Sequence, residues 1–499
     1  MPKRLSNPIA MKFALVAPPW EVMMNSYPPL GLGYVAAATI HAGHPTTIHD
    51  FGLVPHASVA QIVDEVLAAD PAVIGITTWT HLYHVCCELA QAFKRKRPDV
   101  PVVLGGPHVT IFPSETLAEE PAADFVIYGE GEMAMVDLLK AIEASADLST
   151  IEGLAWRRGT EVVKNPPRPI NRAISDLPFP ARDVMQIEKY PLRAWNGERM
   201  TTMMTSRGCP YACTYCFKGL FGRRYITTPN DLIIAEMEEI HEKFGITHFY
   251  FVDDLFVVNI QRLLEFVEAM KAKKTGFKWQ CLARVDRLKE EHYKAMAEAG
   301  CSKIHYGIET GDPDIMVRVD KEATLEQVHD AVRWCHEAGM MAKGYFMIGL
   351  PGDTEETVSR TIEMACELPL AEAMFSLTTP FPGTAMWNDI KDRFDGIPRK
   401  ELFKRASYYY GTRNVSEPMF NMSQLPMQRL IELIEEAEYA FRTRGFRARQ
   451  IEGSLTSPID RLIFRMTQKR WVKRLGVGPL KNLGKRWIRS RAPAGSTSM

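Results

Sequence analysis

Three cysteines, Cys209, Cys213 and Cys216, lie close together in the stretch TSRGCPYACTYCFK from Thr205 to Lys218. Their C-x3-C-x2-C spacing suits thiolates that hold three irons of a 4Fe-4S cluster, which needs four ligands to be closed. The missing ligand leaves one iron open to a substrate or cofactor. Two blander readings compete. Positions i, i+4 and i+7 share a helix face, so the cysteines also fit a buried stripe, and a distant His would complete a zinc site. Gly208 and Pro210 argue against a regular helix here.

With Tyr215 directly before the last Cys, the loop resembles the cluster loop of the radical S-adenosylmethionine (SAM) enzymes. The resemblance implies that Cys209, Cys213 and Cys216 are both metal ligands and catalytic residues, with Tyr215 and Phe217 beside them as cofactor contacts. It also implies the chemistry. SAM chelates the open iron through its amino and carboxylate groups, one electron from the reduced cluster breaks a C–S bond, and methionine and a 5'-deoxyadenosyl radical result. That electron implies an external donor of the flavodoxin or ferredoxin type.

The elements that position this loop follow from the rest of the chain. At 499 residues the prior is about three domains. A composition of 46% hydrophobic and 24% charged residues is that of a soluble globular protein. No apolar run approaches the ~20 residues of a membrane span, and the first residues lack a signal-peptide pattern, so a cytoplasmic protein is expected. Nine cysteines without a disulfide-like framework suit a reducing compartment. The net charge of zero conceals a basic end: from Arg442 onward 15 Lys or Arg face 2 Asp or Glu, behind an acidic body.

From about residue 11 to 148, the runs FALVAP, TTIHDF, AVIGITT, PVVLGG and DFVIYG alternate with helical patterns. They predict five parallel strands in a doubly wound, Rossmann-like α/β domain. Ligands on such a sheet bind beyond the carboxyl ends of the strands, which points to PPW (18–20), the segment from Thr77 to His81, GGPHVT (105–110) and YGEGE (128–132). A nucleotide-binding version is disfavoured, since no G-x-G-x-x-G follows the first strand. Together PPLGLGYVAA, GGPHVT and GEGE ahead of the cysteine triad resemble the cobalamin-binding domain of cobalamin-dependent radical SAM enzymes. The resemblance implies that Gly105, Gly106, Pro107, His108, Val109, Gly129, Glu130 and Gly131 accommodate the cofactor's nucleotide tail. Thr78 and Trp79 become neighbours of its lower face, where no D-x-H-x-x-G motif supplies a histidine and His81 is a weaker candidate. A methylthiotransferase is set aside, because it needs three N-terminal cysteines and only Cys86 and Cys87 are present.

Residues 149–198 read as a hairpin and a Pro-rich linker packing between domains. Residues 199–390 repeat a strand-then-helix unit six times, predicting a partial (β/α)6 barrel of the TIM type. Its strand ends carry Asp253 and Asp254, Arg284, Glu309, and the turn GLPGDT with Gly349 and Gly352. Helix capping is the blander reading for Asp253 and Thr354, both of which could serve as caps. The family resemblance implies that Asp253 and Asp254 support the SAM amino group, Glu309 the ribose, and Gly349 to Gly352 the adenine. Arg284 would suit a carboxylate, through two parallel hydrogen bonds.

Residues 391–499 predict a helical region, with an amphipathic helix begun near Ser423 and Tyr408, Tyr409 and Tyr410 as pocket or packing residues. The basic stretch from Pro458 would suit either an anionic membrane surface or the acidic body, and no nucleic-acid partner is expected. The whole reads as an enzyme acting on a small-molecule substrate with a 4Fe-4S cluster, SAM and cobalamin. The expected reaction is methyl transfer to an unactivated carbon, with radical cyclisation or rearrangement, as on a tetrapyrrole, the nearest rival. A cobalamin-binding regulator with a structural cluster is the alternative of another class.

Overall fold

A computed structural model describes residues 11–20, 27–404 and 420–454. Five short apolar runs form parallel strands: β1 (Phe13–Ala17), β2 (Thr46–Asp50), β3 (Val73–Thr77), β4 (Val102–Gly105) and β5 (Phe125–Ile127). The near-continuous burial of β1, β3, β4 and β5 is what a sheet covered by helices on both faces demands, while the edge strand β2 is buried only at Thr46 and Ile48. The hairpin β6 (Leu154–Arg158) and β7 (Glu161–Lys164) joins this sheet, pairing antiparallel with β5. The order is β2-β1-β3-β4-β5-β6-β7. The hairpin thus extends the first sheet, contrary to the expectation that it packs between domains. Pairing with it covers an edge of β5 that would otherwise be open.

The chain that follows the hairpin does bridge. Tyr190 donates to Asp50 at 2.5 Å, Ala181 N–H to the Gly33 carbonyl at 3.0 Å, and Arg182 pairs with Glu236 at 2.8 Å.

The second sheet holds six parallel strands in sequential order: β8 (Met200–Met203), β11 (His248–Phe251), β12 (Lys278–Ala283), β13 (Cys301–Glu309), β14 (Met341–Ile348) and β15 (Glu372–Leu377). Two short strands, β9 (Ser206–Arg207) and β10 (Ile226–Thr227), pair separately. Side chains alternate along each barrel strand. On β14 the buried set Ala342, Gly344, Phe346 and Ile348 faces the helices, while Lys343, Tyr345 and Met347 alternate toward the concave side. Phe251, Phe256, Phe266 and Trp279 interlock under the sheet with ring centroids 5.1–5.8 Å apart. Truncating an aromatic in such a cluster typically costs about 3–5 kcal/mol.

The helices start where the sequence supplies caps. Ser58, Thr324 and Thr354 each accept a backbone N–H three residues on and close a capping box. The expected C-terminal helix runs Met427–Arg444, burying Leu430, Leu433 and Ile434. Tyr408 to Tyr410 and the basic stretch from Pro458 lie outside the described residues. No helix among the described residues is long and apolar enough to cross a membrane.

Candidate active site at the facing strand ends

The cluster loop is an irregular excursion tied off at its base by β9 and β10, where Arg207 pairs with Ile226 and Ser206 with Thr227. Its stem is fastened to the end of β11. Asp253, fully buried, accepts from the Thr205 N–H at 2.6 Å, the Thr205 hydroxyl at 2.5 Å and the Ser206 hydroxyl at 2.7 Å. Asp254, beside it and exposed, accepts the Gly208 N–H at 3.0 Å. Gly208 is required: its φ is +82°, and a Cβ there would fall on the Arg224 carbonyl. Farther along, Thr214 donates to the Val319 carbonyl and accepts from the Met386 N–H, both at 3.1 Å.

Cys209, Cys213 and Cys216 are partly exposed on this loop, whereas the other six cysteines are buried. Burial works against the Lys218 ammonium, but the sulfurs of Cys216, Cys209 and Cys213 outweigh it and raise its pKa. Among the described residues no three His, Cys, Asp or Glu side chains converge on a single metal ion. Three partly exposed thiols on one loop are the donor set of a 4Fe-4S cluster with one open iron.

Around the cysteines, the predicted strand-end residues divide. Glu309, at the end of β13, has φ +71° and follows a bulge between Gly307 and Glu309 that re-aims the strand. Its Oε1 accepts from Tyr215 at 3.1 Å and Lys321 at 3.0 Å. The Gly349 turn, left-handed at Gly349 and Gly352, is fixed by Asp353, which accepts the N–H groups of Gly349 and Leu350. Phe217 lies against Gly383, beyond β15.

Arg284 departs from expectation. It forms a bidentate pair with Asp286 at 2.8 and 3.0 Å, stacks 3.8 Å over the Tyr211 ring, and reaches the Cys213 sulfur at 3.9 Å. Its fork is already engaged, so it is no free partner for a ligand carboxylate. Asp253 is likewise committed to the loop stem and offers nothing to the SAM amino group.

On the first sheet, Thr78 donates its hydroxyl and N–H to the Gly105 carbonyl, and Gly106 turns with φ +103° into a short helix begun by Pro107. Trp79 is 51% exposed, and the left-handed Gly129 has open space where a Cβ would stand. Gly131 precedes the helix Glu132–Ala144.

Three of the expected contacts have side chains engaged within the protein. His108 is wholly buried, its ring 4.2 Å from Tyr83 and 5.4 Å from both Phe112 and Phe403. Burial, aided by Arg399, pushes its pKa down to about 3. Val109 is a core residue. Glu130 accepts from Arg207 at 2.7 Å and from the Asn171 N–H at 2.6 Å. His81 stands 4.8 Å from Trp20, and burial holds its pKa down to about 4.

Sequence reasoning singled out the stretches that contain Arg207 and Glu132 but gave neither residue a role, and it passed over Lys321. Arg207 is 3% exposed, bonds Glu130 and Glu132 from the first sheet, and immediately precedes Gly208 and Cys209. The proximity of Arg207 to GEGE was invisible in a linear reading, although an arginine next to a cluster loop was a signal. Ile111, after β4, also reaches Gly383 beside Phe217. The strand ends of the two sheets therefore meet at the cysteine loop. A separate cleft of about 1160 Å³ opens at the strand starts, lined by Trp195, His248, Lys278, Met341 and Arg447 among others. Barrel chemistry belongs at the other end.

A half-barrel with a three-cysteine loop, facing an α/β sheet with open loops, defines a radical SAM enzyme joined to a cobalamin-binding domain. The Radical SAM superfamily model matches residues 203–365, and the B12 binding domain model matches residues 22–139. An uncharacterized methyltransferase of Pyrococcus horikoshii is 35% identical over 383 residues, covering 76% of this chain and 82% of that one. The anaerobic magnesium-protoporphyrin IX monomethyl ester cyclase of Cereibacter sphaeroides is 27% identical over 452 residues, covering 86% and 71%. The radical SAM methyltransferase TsrM of Kitasatospora setae, solved with cobalamin and a [4Fe-4S] cluster, has the same fold, with a TM-score of 0.64 at 20% identity over 78% of this chain and 79% of that one. The chain belongs to the cobalamin-dependent radical SAM enzymes. Its cofactors are a 4Fe-4S cluster, SAM and cobalamin.

Proposed function

We propose that this enzyme transfers a methyl group from SAM, by way of cobalamin, to an unactivated carbon of a small molecule. The observation that supports it most is the Arg207 clamp, which fastens the loop after β5 to the residue before the cluster loop. Two cofactors can share one substrate only if their sites adjoin. When bound, the cluster supplies the electron that cleaves SAM, and cobalamin carries the methyl group.

The chain's own residues bind, orient and exclude water. Cys209, Cys213 and Cys216 hold the irons. Glu309 keeps Oε2 for the ribose diol, since both of its side-chain partners take Oε1. Gly349 to Gly352 border the adenine, and Trp79, Gly105, Gly106, Gly129 and Gly131 border cobalamin, while Thr78, wholly buried with its hydroxyl on the Gly105 carbonyl, shapes the loop beneath them. Below them, His305 closes the barrel interior: Nε2 meets Gln280 at 3.2 Å, and Nδ1 meets Tyr345 at 3.2 Å and Tyr250 at 3.4 Å. Burial, with Lys303 and Lys343 nearby, pushes its pKa well down, so the imidazole itself is a neutral polar group there. Electrons come from an external flavodoxin- or ferredoxin-type donor.

Reduced enzyme incubated with SAM and candidate substrates is expected to form 5'-deoxyadenosine and S-adenosylhomocysteine together, with a product heavier by CH2. The relative that names a cyclase, matched across 86% of this chain, favours radical cyclisation as the second reading. A product without the added CH2, and no S-adenosylhomocysteine, would select it.

A further inference from the structure

Lys321 belongs to no motif, yet it sits at the centre of the SAM end of the barrel. It is 5% exposed, and its ammonium donates to Glu309 Oε1 at 3.0 Å and to the Tyr215 hydroxyl at 3.3 Å. Tyr215 in turn donates to the same Glu309 oxygen at 3.1 Å. The three side chains close a triangle that joins the cluster loop, the end of β13 and the turn after the helix Pro313–Arg318.

The backbone around Lys321 is shaped to hold it there. Asp320 and Glu322, on either side, both have left-handed φ, +51° and +53°, which non-glycine residues adopt only under constraint. The Lys321 N–H donates to the Met316 carbonyl at 3.0 Å. The carbonyls of Lys321 and Glu322 both accept from Arg284, the residue whose other nitrogen reaches the Cys213 sulfur. Room for the triangle depends on Gly307, where a Cβ would stand 2.5 Å from Glu309 Oε1 and 3.0 Å from Lys321 Nζ.

We infer that Lys321 is a positioning residue for SAM: it fixes Glu309 so that the free Oε2 faces the ribose diol, and through Arg284 it ties that geometry to the cluster loop. This rests on the reading of Glu309 as the ribose contact. A buried carboxylate without its cation is disfavoured as the charged acceptor, and a carboxylate free to rotate loses the directed pair of bonds a diol needs.

The test compares wild type, Lys321→Met, Lys321→Arg and Gly307→Ala, each reconstituted and checked for iron content and far-ultraviolet circular dichroism. SAM affinity is read from the change that SAM causes in the paramagnetic spectrum of the reduced cluster. Lys321→Met is expected to keep its iron and its SAM-free spectrum but to need at least about tenfold more SAM, a loss of about 1.4 kcal/mol. Lys321→Arg should recover part of the affinity. Gly307→Ala, which leaves the lysine in place and displaces the carboxylate, should show the same deficit, and it decides the matter if Lys321→Met does not fold. Variants that bind SAM as wild type does would overturn the role of Lys321 alone. A wild-type spectrum that ignores SAM would overturn the ribose-site reading and this inference with it.

Discussion

Arg207 Nη2 stands 2.6 Å from Glu132 Oε1, and neither side chain is more than one-tenth exposed. With Glu130 on Nη1 and the rings of Tyr34 and Phe221 on its faces, at 5.2 and 5.8 Å, the guanidinium is enclosed. Lys carries the same charge but no fork, so it cannot satisfy two carboxylates in this geometry. Arg207→Met should therefore destabilise the folded chain by about 3–5 kcal/mol, because two buried carboxylates lose their partner. Arg207→Lys should fold, yet retain less cobalamin and less iron than wild type after gel filtration. Equal retention of both cofactors would show that the clamp is only a packing feature.

The three loop cysteines and the buried ones should separate cleanly. Substituting Cys209, Cys213 or Cys216 by Ala is expected to abolish cluster iron and acid-labile sulfide. Cys86→Ala and Cys87→Ala, on a helix of the first sheet, should leave both unchanged. Iron analysis of the five proteins is sufficient. A loop variant that keeps a full complement of iron would require another ligand.

Asp253 and Asp254 adjoin in sequence but do different work. Asp253 accepts three bonds from the loop stem, and burial raises its pKa in spite of the Thr205 and Ser206 donors. Asp253→Asn puts an amide where only acceptors fit, and should cost about 2–3 kcal/mol with a large loss of cluster, since hydrogen bonds to a charged group are among the strong ones. Asp254→Asn, with one bond at an exposed position, should keep most of its iron. Reconstitution yield against denaturant midpoint tests the contrast.

His108 makes the first sheet acid-sensitive. The unfolded imidazole takes a proton near its ordinary value of 6.5, whereas the buried one does so only at about 3. Between those values the native state binds fewer protons, so stability is lost as pH falls through the window and is retained above it. From pH 7 to pH 5 this group alone should remove about 2 kcal/mol, or roughly one and a half pK units at 1.36 kcal/mol each. His108→Phe, packed among Tyr83, Phe112 and Phe403, should lose that much less on acidification. Identical acid dependence of the variant and wild type in thermal melts would refute it.

Much of the frame was legible because its signals are local. Short apolar runs with turn residues after them gave both sheets, and the polar residues near the ends of β11 to β14 pointed to the end of the barrel that carries the cysteine loop. What failed was orientation. His108 and Val109 follow Pro107 in a helical turn that points them into the core, while Glu130 faces Arg207 across a gap of 77 residues. Lys321 and Tyr215 meet across 106 residues. A motif names residues that cluster along the chain, but only packing decides which side chain reaches a ligand and which holds its neighbour.

In the proposed mechanism cluster and cobalamin adjoin, with their loops held together at Arg207. The most direct measurement is the paramagnetic spectrum of the holoenzyme poised with the reduced cluster and cob(II)alamin present together. Adjoining cofactors predict that each signal is broadened or split by the other and that its relaxation is accelerated. A spectrum equal to the sum of the two species measured separately would contradict it.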